Sequence, residues 1–403
     1  MTRQSSKKIV IVGAKRTPFG RFRGGLSQLT PAELGAAAAQ SAMKAVPPEL
    51  IDQVNVGNVL SAGHGMNVAR QIALKCGLPQ SVPAFTVNMM CGSGMQSAVL
   101  AAQAIHSGAA SVVLAGGVES MTRSALLVSR PGRGQEPDVS QLADSMLTDG
   151  LRDSFNGEHM GITAERLATE FQISRDHQDA WAVRSQTLYQ QALAAGHFGD
   201  EIEPVTTVLN DEHPRAGLSR SDLAALNPVF DAAGTVTAGN SSGINDGAAM
   251  LVMADAEVAK QHGWNVLCEW VHGTSIGCDP ARMGLGPVHA IRKLVAEAGV
   301  ETGAIDTLEI NEAFAAQTLA CFTELGLGWQ DAANAESMKW QGRSVKVNAH
   351  GGAIAIGHPL AASGARLVCH LAWQIANGHS QNAIAALCIG GGMGIAAYLR
   401  QPL

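Results

Sequence analysis

The sequence predicts an α/β protein in which one strand-and-helix unit occurs twice and is interrupted by a mainly helical block. Short β-favouring apolar runs alternate with longer segments of helical periodicity, which is typical of a doubly wound sheet. An alanine-rich helix, a polar-glycine stop, an apolar strand and a glycine cluster follow one another at 95–117 and again at 363–392. Between about 122 and 239 the apolar runs thin out, and helices and loops dominate.

The bulk composition fits a large protein of a reducing compartment. The chain has 403 residues, 46% hydrophobic and 15% charged, which is enough for two or three substructures. A net charge of −6 without a long basic run disfavours nucleic-acid binding. Seven cysteines without CxxC spacing indicate reduced thiols, so we expect a cytoplasmic protein without a zinc site. The glycine-rich middle of the apolar segment 383–399 favours a buried strand–turn–strand over a membrane span.

The first half begins with regular alternation of strands and helices. Thr30, Pro31 and Glu33 open its first helix, since they supply a side-chain cap, a proline at the first position and a capping-box glutamate. The elements expected in this half are strands at 8–12, 54–60, 85–90 and 111–115 and helices at 30–45, 68–76 and 95–105.

The middle of the chain reads as an insertion, after which the first unit is completed and the pattern restarts. Helices are expected at 162–170 and 174–195, the second capped by Ser174, and a strand at 249–253. The second half should hold strands at 266–273, 307–310, 345–347 and 383–387 and helices at 288–298, 312–325 and from just after His358 to about 376. The resulting division is an N-terminal half at 1–122 and 248–272, an inserted loop or lid domain at 123–247 and a C-terminal half at 273–403.

Cys91 stands where a predicted strand passes into a predicted helix. A thiol at a helix N-terminus faces unpaired N–H groups and the positive end of the helix dipole, which favour the nucleophilic thiolate. Two alternatives are open at this point. The residue could be an ordinary buried cysteine. The run 92–97 could instead bind a dinucleotide phosphate, although serine replaces the third glycine and no acidic residue follows at the required spacing.

The duplication brings further reactive groups toward Cys91. The N-termini of two equivalent helices should meet at a common centre, with Cys91 at one and His358 just ahead of the other. A nucleophilic cysteine needs a base, and histidine is the usual one near neutral pH. Cys388 ends a strand and is followed by a glycine run whose N–H groups are accessible, while Asn311 lies between a strand and a helix. Ligands bind at such strand ends.

Four motifs, at 87–96, 311–317, 351–359 and 388–394, resemble those of the thiolase family, and the resemblance covers essentially the whole chain. It implies a duplicated thiolase-type fold, layered α-β-α-β-α, with an inserted domain that binds coenzyme A. It also implies reversible Claisen condensation of two acetyl-CoA to acetoacetyl-CoA and CoA, or the reverse cleavage. The reaction would pass through an acyl-cysteine in a ping-pong scheme, with CoA as a substrate and neither metal nor redox cofactor.

The resemblance assigns roles to individual residues. Cys91 would be the acyl-accepting nucleophile, His358 the base that activates it, and Cys388 the acid–base group for the α-carbon. Asn311 would hold a water that forms one oxyanion hole with His358, and the N–H groups of Cys91 and Gly390 would form the other. The residues implied to bind CoA and the acyl group are Leu151, His159, Met160, Arg215, Phe230, Ser242, Met283, Ala313 and Phe314.

The segments 155–161 and 283–284 resemble the short-chain, acetoacetyl-CoA-handling branch. The alternatives are a broader-chain 3-ketoacyl-CoA thiolase of fatty-acid β-oxidation, a decarboxylating or starter condensing enzyme, and a non-catalytic acyl-CoA or lipid-binding relative. The loop 124–149 resembles a tetramer-forming excursion, so a homotetramer built from dimers is expected. His350 departs from the family pattern, and we expect it to be structural. Neither nucleic acid nor membrane is expected as a partner.

Overall fold

The computed structural model describes residues 7–330 and 335–402, and within them the chain forms a large mixed α/β fold. The strands are β1 (Ile9–Arg16), β2 (Gly20–Arg21), β3 (Gln53–Gly57), β4 (Ala84–Val87), β5 (Val112–Ser120), β6 (Leu126–Leu127), β7 (Ala143–Asp144), β8 (Asn245–Asp255), β9 (Cys268–Gly277), β10 (Thr307–Ile310), β11 (Ser337–Trp340), β12 (Arg343–Val347), β13 (Asn382–Ile389) and β14 (Met393–Arg400). The α-helices are α1 (Pro31–Ala42), α2 (Val68–Lys75), α3 (Ser93–Ser107), α4 (Met160–Glu170), α5 (Arg175–Ala194), α6 (Arg220–Ala224), α7 (Ala256–Gln261), α8 (Gly286–Ala298), α9 (Ala315–Leu325), α10 (Ala353–Ile356) and α11 (Leu360–Ala376).

The sheet topology confirms the predicted duplication. The main sheet runs β11-β12-β10-β13-β14-β9-β1-β8-β5-β3-β4. Outward from β1, the strands β8 and β5 are each antiparallel to the preceding strand, whereas β3 and β4 are each parallel to it. Outward from β9, the strands β14, β13, β10 and β12 repeat this order of directions. The two half-sheets meet where β1 and β9 pair antiparallel, so the parallel, doubly wound pattern holds only toward the two edges.

An aspartate at an equivalent position in each half connects two neighbouring strands through hydrogen bonds to backbone N–H groups. Asp52 accepts hydrogen bonds from the N–H groups of Ser111 and Val112 at the start of β5, at 2.6 and 3.0 Å. Asp306 accepts from the N–H groups of residues 381–382 at the start of β13, at 2.8 and 3.1 Å. Each aspartate just precedes a parallel strand and ties it to its neighbour. The sequence pattern Ile-Asp therefore marks equivalent positions in the two halves.

Three apolar cores separate five layers, as the fold prediction requires. The first core lies between the first half-sheet and α1 and α2, and the third lies between the second half-sheet and α8 and α9. The second core contains α3 and α11, which are buried between the two half-sheets. Side chains of β5 alternate between cores: Val112 and Leu114 face the first, whereas Val113 and Ala115 face the second. The layers are thus α-β-α-β-α.

The two central helices touch near their N-termini, where only small residues fit. A Cβ atom on Gly94 of α3 would collide with the carbonyl oxygen of Ala361 on α11, and one on Gly364 would lie 2.9 Å from the backbone nitrogen of Met95. Cys91 stands two residues before α3, and His358 stands two residues before α11. The close helix packing therefore brings these two side chains to one end of the central layer.

The insertion occupies the connection between β5 and β8, which corresponds to the short glycine turn between β13 and β14. It carries α4, α5, α6 and the small hairpin β6–β7. Its helix α5 begins with the predicted Ser174 cap. Buried Arg184 of α5 donates to the carbonyl oxygen of Val347, at 2.8 Å, and buried Arg16 of β1 pairs with Asp211 and Glu201. These contacts fix the insertion to both halves.

The element predictions are mostly confirmed, including the strand–turn–strand at the C-terminus, which is the β13–β14 hairpin. Helix α9 begins at Ala315 rather than at 312, because residues 311–314 run as an extended segment and the N–H group of Ala315 donates to the carbonyl oxygen of Asn240. Strand β11 and the short helices were not predicted. In the described part of the chain, no helix combines the length and apolarity needed to cross a bilayer.

Candidate active site

A cavity of about 760 Å³ lies between the insertion and the two halves. Cys91, His358, Cys388 and Gly390 all line it. The cavity wall also includes every residue predicted to contact CoA or the acyl group, namely Leu151, His159, Met160, Arg215, Phe230, Ser242, Met283, Ala313 and Phe314. Asn311 lies behind this wall, against His358. The structure therefore brings together residues that are as much as 299 positions apart in the sequence.

A tight turn presents Cys91 to the cavity. Met90 adopts a left-handed conformation with φ 48°, and Ser93 closes the turn by accepting from the N–H group of Met89 and donating to the carbonyl oxygen of Met90. The side chain of Ile389, the residue after Cys388, packs against Gly92, where an added Cβ atom would overlap with its Cδ1 atom. The segments that carry the two cysteines are therefore neighbours.

Burial raises the pKa of Cys91 to about 11, and the negative charge of Glu119 acts in the same direction. The N–H groups of Gly390 and of Cys91 itself donate toward the sulfur and lower the pKa, but they do not outweigh burial. The N–H groups thus favour the thiolate in the predicted direction, but burial has the larger effect on the pKa. The thiol is neutral at rest and needs a base. The same two N–H groups converge where an oxyanion on an acylated Cys91 would form.

His358 is held rigidly and in one tautomer. Gly357 has φ +108°, and the backbone N–H of His358 donates to Asn245 Oδ1 at 3.0 Å. Ser363 Oγ donates to the carbonyl oxygen of Pro359 and lies 2.5 Å from His358 Nδ1. Because the hydroxyl proton is donated to Pro359, we assign the ring hydrogen to Nδ1, from which it is donated to Ser363 Oγ. Nε2 is left with its lone pair.

The environment of His358 suits a neutral base. Burial first, and then the positive charge of the Arg366 guanidinium, lower its pKa to about 4. A neutral imidazole beside a neutral thiol can accept the sulfur proton as the nucleophile attacks. Asn311 lies 3.4 Å from His358 Nδ1 through its amide nitrogen, and its buried Oδ1 has no hydrogen-bond partner among the described residues. That oxygen is available to a small polar ligand.

Cys388 lies at the end of β13 in the most enclosed part of the cavity. Burial raises its pKa well above the ordinary value, and the neighbouring Cys91 thiol adds to this effect. Its apolar surroundings are one cluster that includes Met160, Met283, Ala313 and Phe314. These buried apolar side chains form the closed end of the cavity around Cys388.

The open end of the cavity is polar and cationic. His159 stacks on Phe230 with ring centroids 4.5 Å apart, and Phe230 meets Phe314 edge to face at 5.9 Å. This aromatic row leads from the closed end to the mouth, where Arg215 is exposed and Arg21 also lines the rim. An elongated molecule with an apolar arm and an anionic head fits this gradient.

Sequence analysis missed several residues that hold the site together. Ser363 lies one helical turn past His358, so helix periodicity could have indicated it. Asn245 supports the backbone of His358 from 113 positions away, and no local signal marks it. His213 lines the mouth, and burial lowers its pKa to about 4. Glu119 lies four residues beyond the predicted strand at 111–115 and inside the longer observed β5.

His350 does not line the cavity. Its ring stacks on His197 with centroids 4.3 Å apart, and its Nδ1 lies 3.0 Å from Nε2 of His370. His370 in turn bonds buried Glu201 through Nδ1 at 2.7 Å. This histidine cluster joins the insertion to the C-terminal half and stands apart from the reactive groups.

Comparisons with known proteins agree with this geometry. Two family models match the chain, "Thiolase, N-terminal domain" over residues 9–257 and "Thiolase, C-terminal domain" over residues 264–401. A probable acetyl-CoA acetyltransferase of Escherichia coli (strain K12) is 44% identical and is aligned over 98% of this chain and 99% of its own length. The crystal structure of the Bacillus anthracis acetyl-CoA acetyltransferase superposes with a TM-score of 0.92 at 38% identity, covering 99% of this chain and 100% of that one. Human mitochondrial 3-ketoacyl-CoA thiolase in complex with CoA gives a TM-score of 0.90 at 39% identity, with 98% of each chain covered.

Proposed function

The chain belongs to the thiolase family, and we propose from this premise that it is an acetyl-CoA C-acetyltransferase. It joins two acetyl-CoA molecules into acetoacetyl-CoA and CoA, or cleaves acetoacetyl-CoA with CoA, through an acyl-enzyme. The observation that carries the proposal is the convergence of two thiols, one neutral imidazole and two backbone N–H donors on one cavity. Known acetyl-CoA acetyltransferases that resemble the chain over nearly its full length support the same activity.

In the proposed first step, Cys91 attacks the thioester carbonyl of acetyl-CoA. His358 Nε2 accepts the sulfur proton as the S–C bond forms and gives it to the departing CoA sulfur. The N–H groups of Cys91 and Gly390 stabilise the tetrahedral oxyanion, and each such donor contributes about 3 kcal/mol in the transition state. The converging donors around the Cys91 sulfur support this assignment.

In the proposed second step, His358 Nε2 takes the proton of Cys388, and the resulting thiolate removes an α-proton from another acetyl-CoA. The enolate attacks the acetyl group on Cys91, and the Cys91 thiolate that leaves takes the proton back from Nε2. A thiolate can remove the α-proton only if the enolate oxygen is stabilised, which we assign to His358 and to a water held by Asn311. Ser363 suits both roles of His358. Its hydroxyl accepts from Nδ1–H both when Nε2 is the base and when Nε2 carries a proton toward the enolate. The buried, unpartnered Oδ1 of Asn311 supports the water site.

We propose a short-chain substrate, because Met160, Met283 and Phe314 close the cavity around Cys388. Acetoacetyl-CoA should be cleaved faster than an octanoyl-length 3-oxoacyl-CoA. The opposite order of kcat/KM would favour the second candidate, a broader-chain thiolase. The structural similarity to human mitochondrial 3-ketoacyl-CoA thiolase is the observation that supports this candidate. The pantetheine arm would follow the aromatic row, and Arg215 would meet the anionic head of CoA.

The division into an N-terminal half, an inserted CoA-binding domain and a C-terminal half remains our proposal, as does a cytoplasmic homotetramer built from dimers.

Exposed apolar side chains support the proposed homotetramer. Leu126 and Val139 on the β6–β7 excursion are 64% and 70% exposed, and Met66 and Phe85 near the edge strand β4 are 91% and 38% exposed. Light scattering after size-exclusion chromatography should give four chains, and Leu126→Ser with Val139→Ser should reduce the assembly to dimers. A wild-type monomer would refute the proposal.

Two cysteine variants test the mechanism. Cys91→Ala should lower turnover of acetoacetyl-CoA with CoA by at least about 10⁴-fold, since the nucleophile is lost. Cys388→Ala should still become acetylated on Cys91 by acetyl-CoA but should not form or break the carbon–carbon bond. Cys76→Ala, at a buried thiol outside the cavity, is the matched control and should keep wild-type rates.

Chemical labelling separates an enzyme from a non-catalytic binder. One cysteine should react stoichiometrically with iodoacetamide, prior incubation with acetyl-CoA should block the reaction, and Cys91→Ala should abolish it. A protein that binds acetyl-CoA without transferring its acetyl group to Cys91 would contradict the proposed function.

A further inference from the structure

Glu119, at the C-terminal end of β5, is a fully buried carboxylate at the boundary of the two halves. It accepts hydrogen bonds from Asn58 Nδ2 at 2.9 Å and from the backbone N–H groups of Val59 and Leu60 at 3.1 and 3.0 Å. Its fourth donor, the backbone N–H of Ala361 at 3.1 Å, comes from the opposite half of the duplicated fold. Four directed bonds leave this carboxylate a single orientation.

The bond to Ala361 acts on the catalytic base. Ala361 is the second residue of α11, and its N–H group belongs to the first turn, which has no partner within the helix. A carboxylate there also meets the positive end of the helix dipole. His358 and Pro359 precede this turn directly, so fixing the turn fixes the position of the imidazole. Leu360, between Pro359 and Ala361, lines the cavity.

Glu119 is also a charge close to the nucleophile. The titratable groups that face it are Asp246 on β8 and Cys91 ahead of α3, and no lysine or arginine in the described residues forms an ion pair with it. Burial, together with Asp246, raises the pKa of Glu119 to about 7, and its ionised form in turn raises the pKa of Cys91. The hydrogen bonds from residues 59, 60 and 361 favour the ionised form.

We propose that Glu119 is a positioning residue of this active site: it holds the first turn of α11, and thereby His358, against the N-terminal half. The inference rests on the proposed roles of Cys91 and His358. It also gives a reason why the two halves must keep their relative position. The hydrogen bond that Ala361 donates to Glu119 joins residues 242 positions apart, one in each half. Glu119 itself touches no reacting atom.

The test compares Glu119→Gln with Asp52→Asn. Both remove a carboxylate that accepts backbone N–H groups, but Asp52 just precedes β3, bonds the start of β5 and does not line the cavity. In Glu119→Gln the amide cannot satisfy all four donors, so kcat for acetoacetyl-CoA cleavage should fall about tenfold or more through misplacement of His358. KM should stay within twofold, because the CoA-contacting residues are untouched. The pH midpoint of Cys91 alkylation by iodoacetamide should fall, because a negative charge that raises the pKa of Cys91 is removed.

Asp52→Asn should change neither kcat nor the alkylation midpoint. Glu119→Asp keeps the charge but shortens the reach, so it should lower kcat while moving the midpoint less than Glu119→Gln does. A Glu119→Asp enzyme with wild-type kcat overturns the proposal whatever becomes of the Gln variant, and so does a folded Glu119→Gln protein with wild-type kcat. Failure of the proposed function would appear separately, as alkylation that survives in Cys91→Ala.

Discussion

Replacing Ser363 by alanine tests how His358 works. In the structure Ser363 Oγ lies 2.5 Å from His358 Nδ1 and is the closest polar contact of the imidazole. Alanine removes this partner and adds no bulk. As His358 takes the proton of Cys91, positive charge develops on a ring that is buried and whose pKa is already lowered to about 4.

The magnitude follows from the difference between two hydrogen bonds. A bond to a neutral group contributes about 0.5–1.5 kcal/mol, and one to a charged group contributes about 1.5–3 kcal/mol. The transition state therefore loses about 1–1.5 kcal/mol more than the ground state, which corresponds to a rate reduction of about tenfold. Single-turnover release of CoA from acetyl-CoA measures this step directly, and KM for acetyl-CoA should be unchanged.

The matched control is Ser97→Ala on α3. Ser97 is also buried near a helix N-terminus, and its hydroxyl bonds both the carbonyl and the N–H of Gly116, at 2.7 and 2.9 Å. It should lower the free energy of unfolding by about 1–2 kcal/mol without slowing CoA release. If Ser363→Ala releases CoA within twofold of the wild-type rate, the assignment of Nδ1–H···Oγ and the role of Nε2 are wrong.

Three further predictions follow from the site and its supports. Gly357→Ala should lower the free energy of unfolding by about 2 kcal/mol or more in urea, because φ is +108° and the new Cβ would collide with Asn245; a change below 0.5 kcal/mol would contradict the geometry. Burial lowers the pKa of His350 to about 2, so the unfolded chain binds a proton that the fold excludes, and stability should fall as pH drops below about 6.5. His350→Asn should therefore lose less stability than wild type between pH 7.5 and 5, and an equal loss in both would exclude this residue. Arg215→Gln should raise KM for CoA about fivefold with kcat unchanged, as expected of one exposed charge contact; an unchanged KM would remove Arg215 from the CoA path.

The sequence predicted those parts of the molecule that are encoded by neighbouring residues. The Thr30 capping box and the Ser174 cap each involve residues three positions apart, and both occur in the structure. The duplicated pattern was visible because each half repeats the same order of strand, helix and glycine cluster, and the paired half-sheets confirm it. Periodicity alone could not show that β1 and β9 would join the halves.

No local sequence pattern indicates the residues that support the site from distant parts of the chain. Asn245 reaches the backbone of His358 across 113 positions, and Glu119 reaches Ala361 across 242. A single polar residue at the end of an apolar run looks the same whether it faces solvent or the other half of the protein. The pair His350 and His370 shows the same limit, since neither position suggests that their rings share a hydrogen bond at 3.0 Å.

By itself, the sequence determined the family, the duplicated layers and the candidates Cys91, His358 and Cys388, because motif and period are local properties of the chain. Only the tertiary structure decided how those candidates ionise. The helix N-terminus next to Cys91 predicts a lowered pKa, whereas burial between two half-sheets raises it to about 11. The desolvation of a charge depends on everything packed around it, and that surrounding comes from segments hundreds of residues apart.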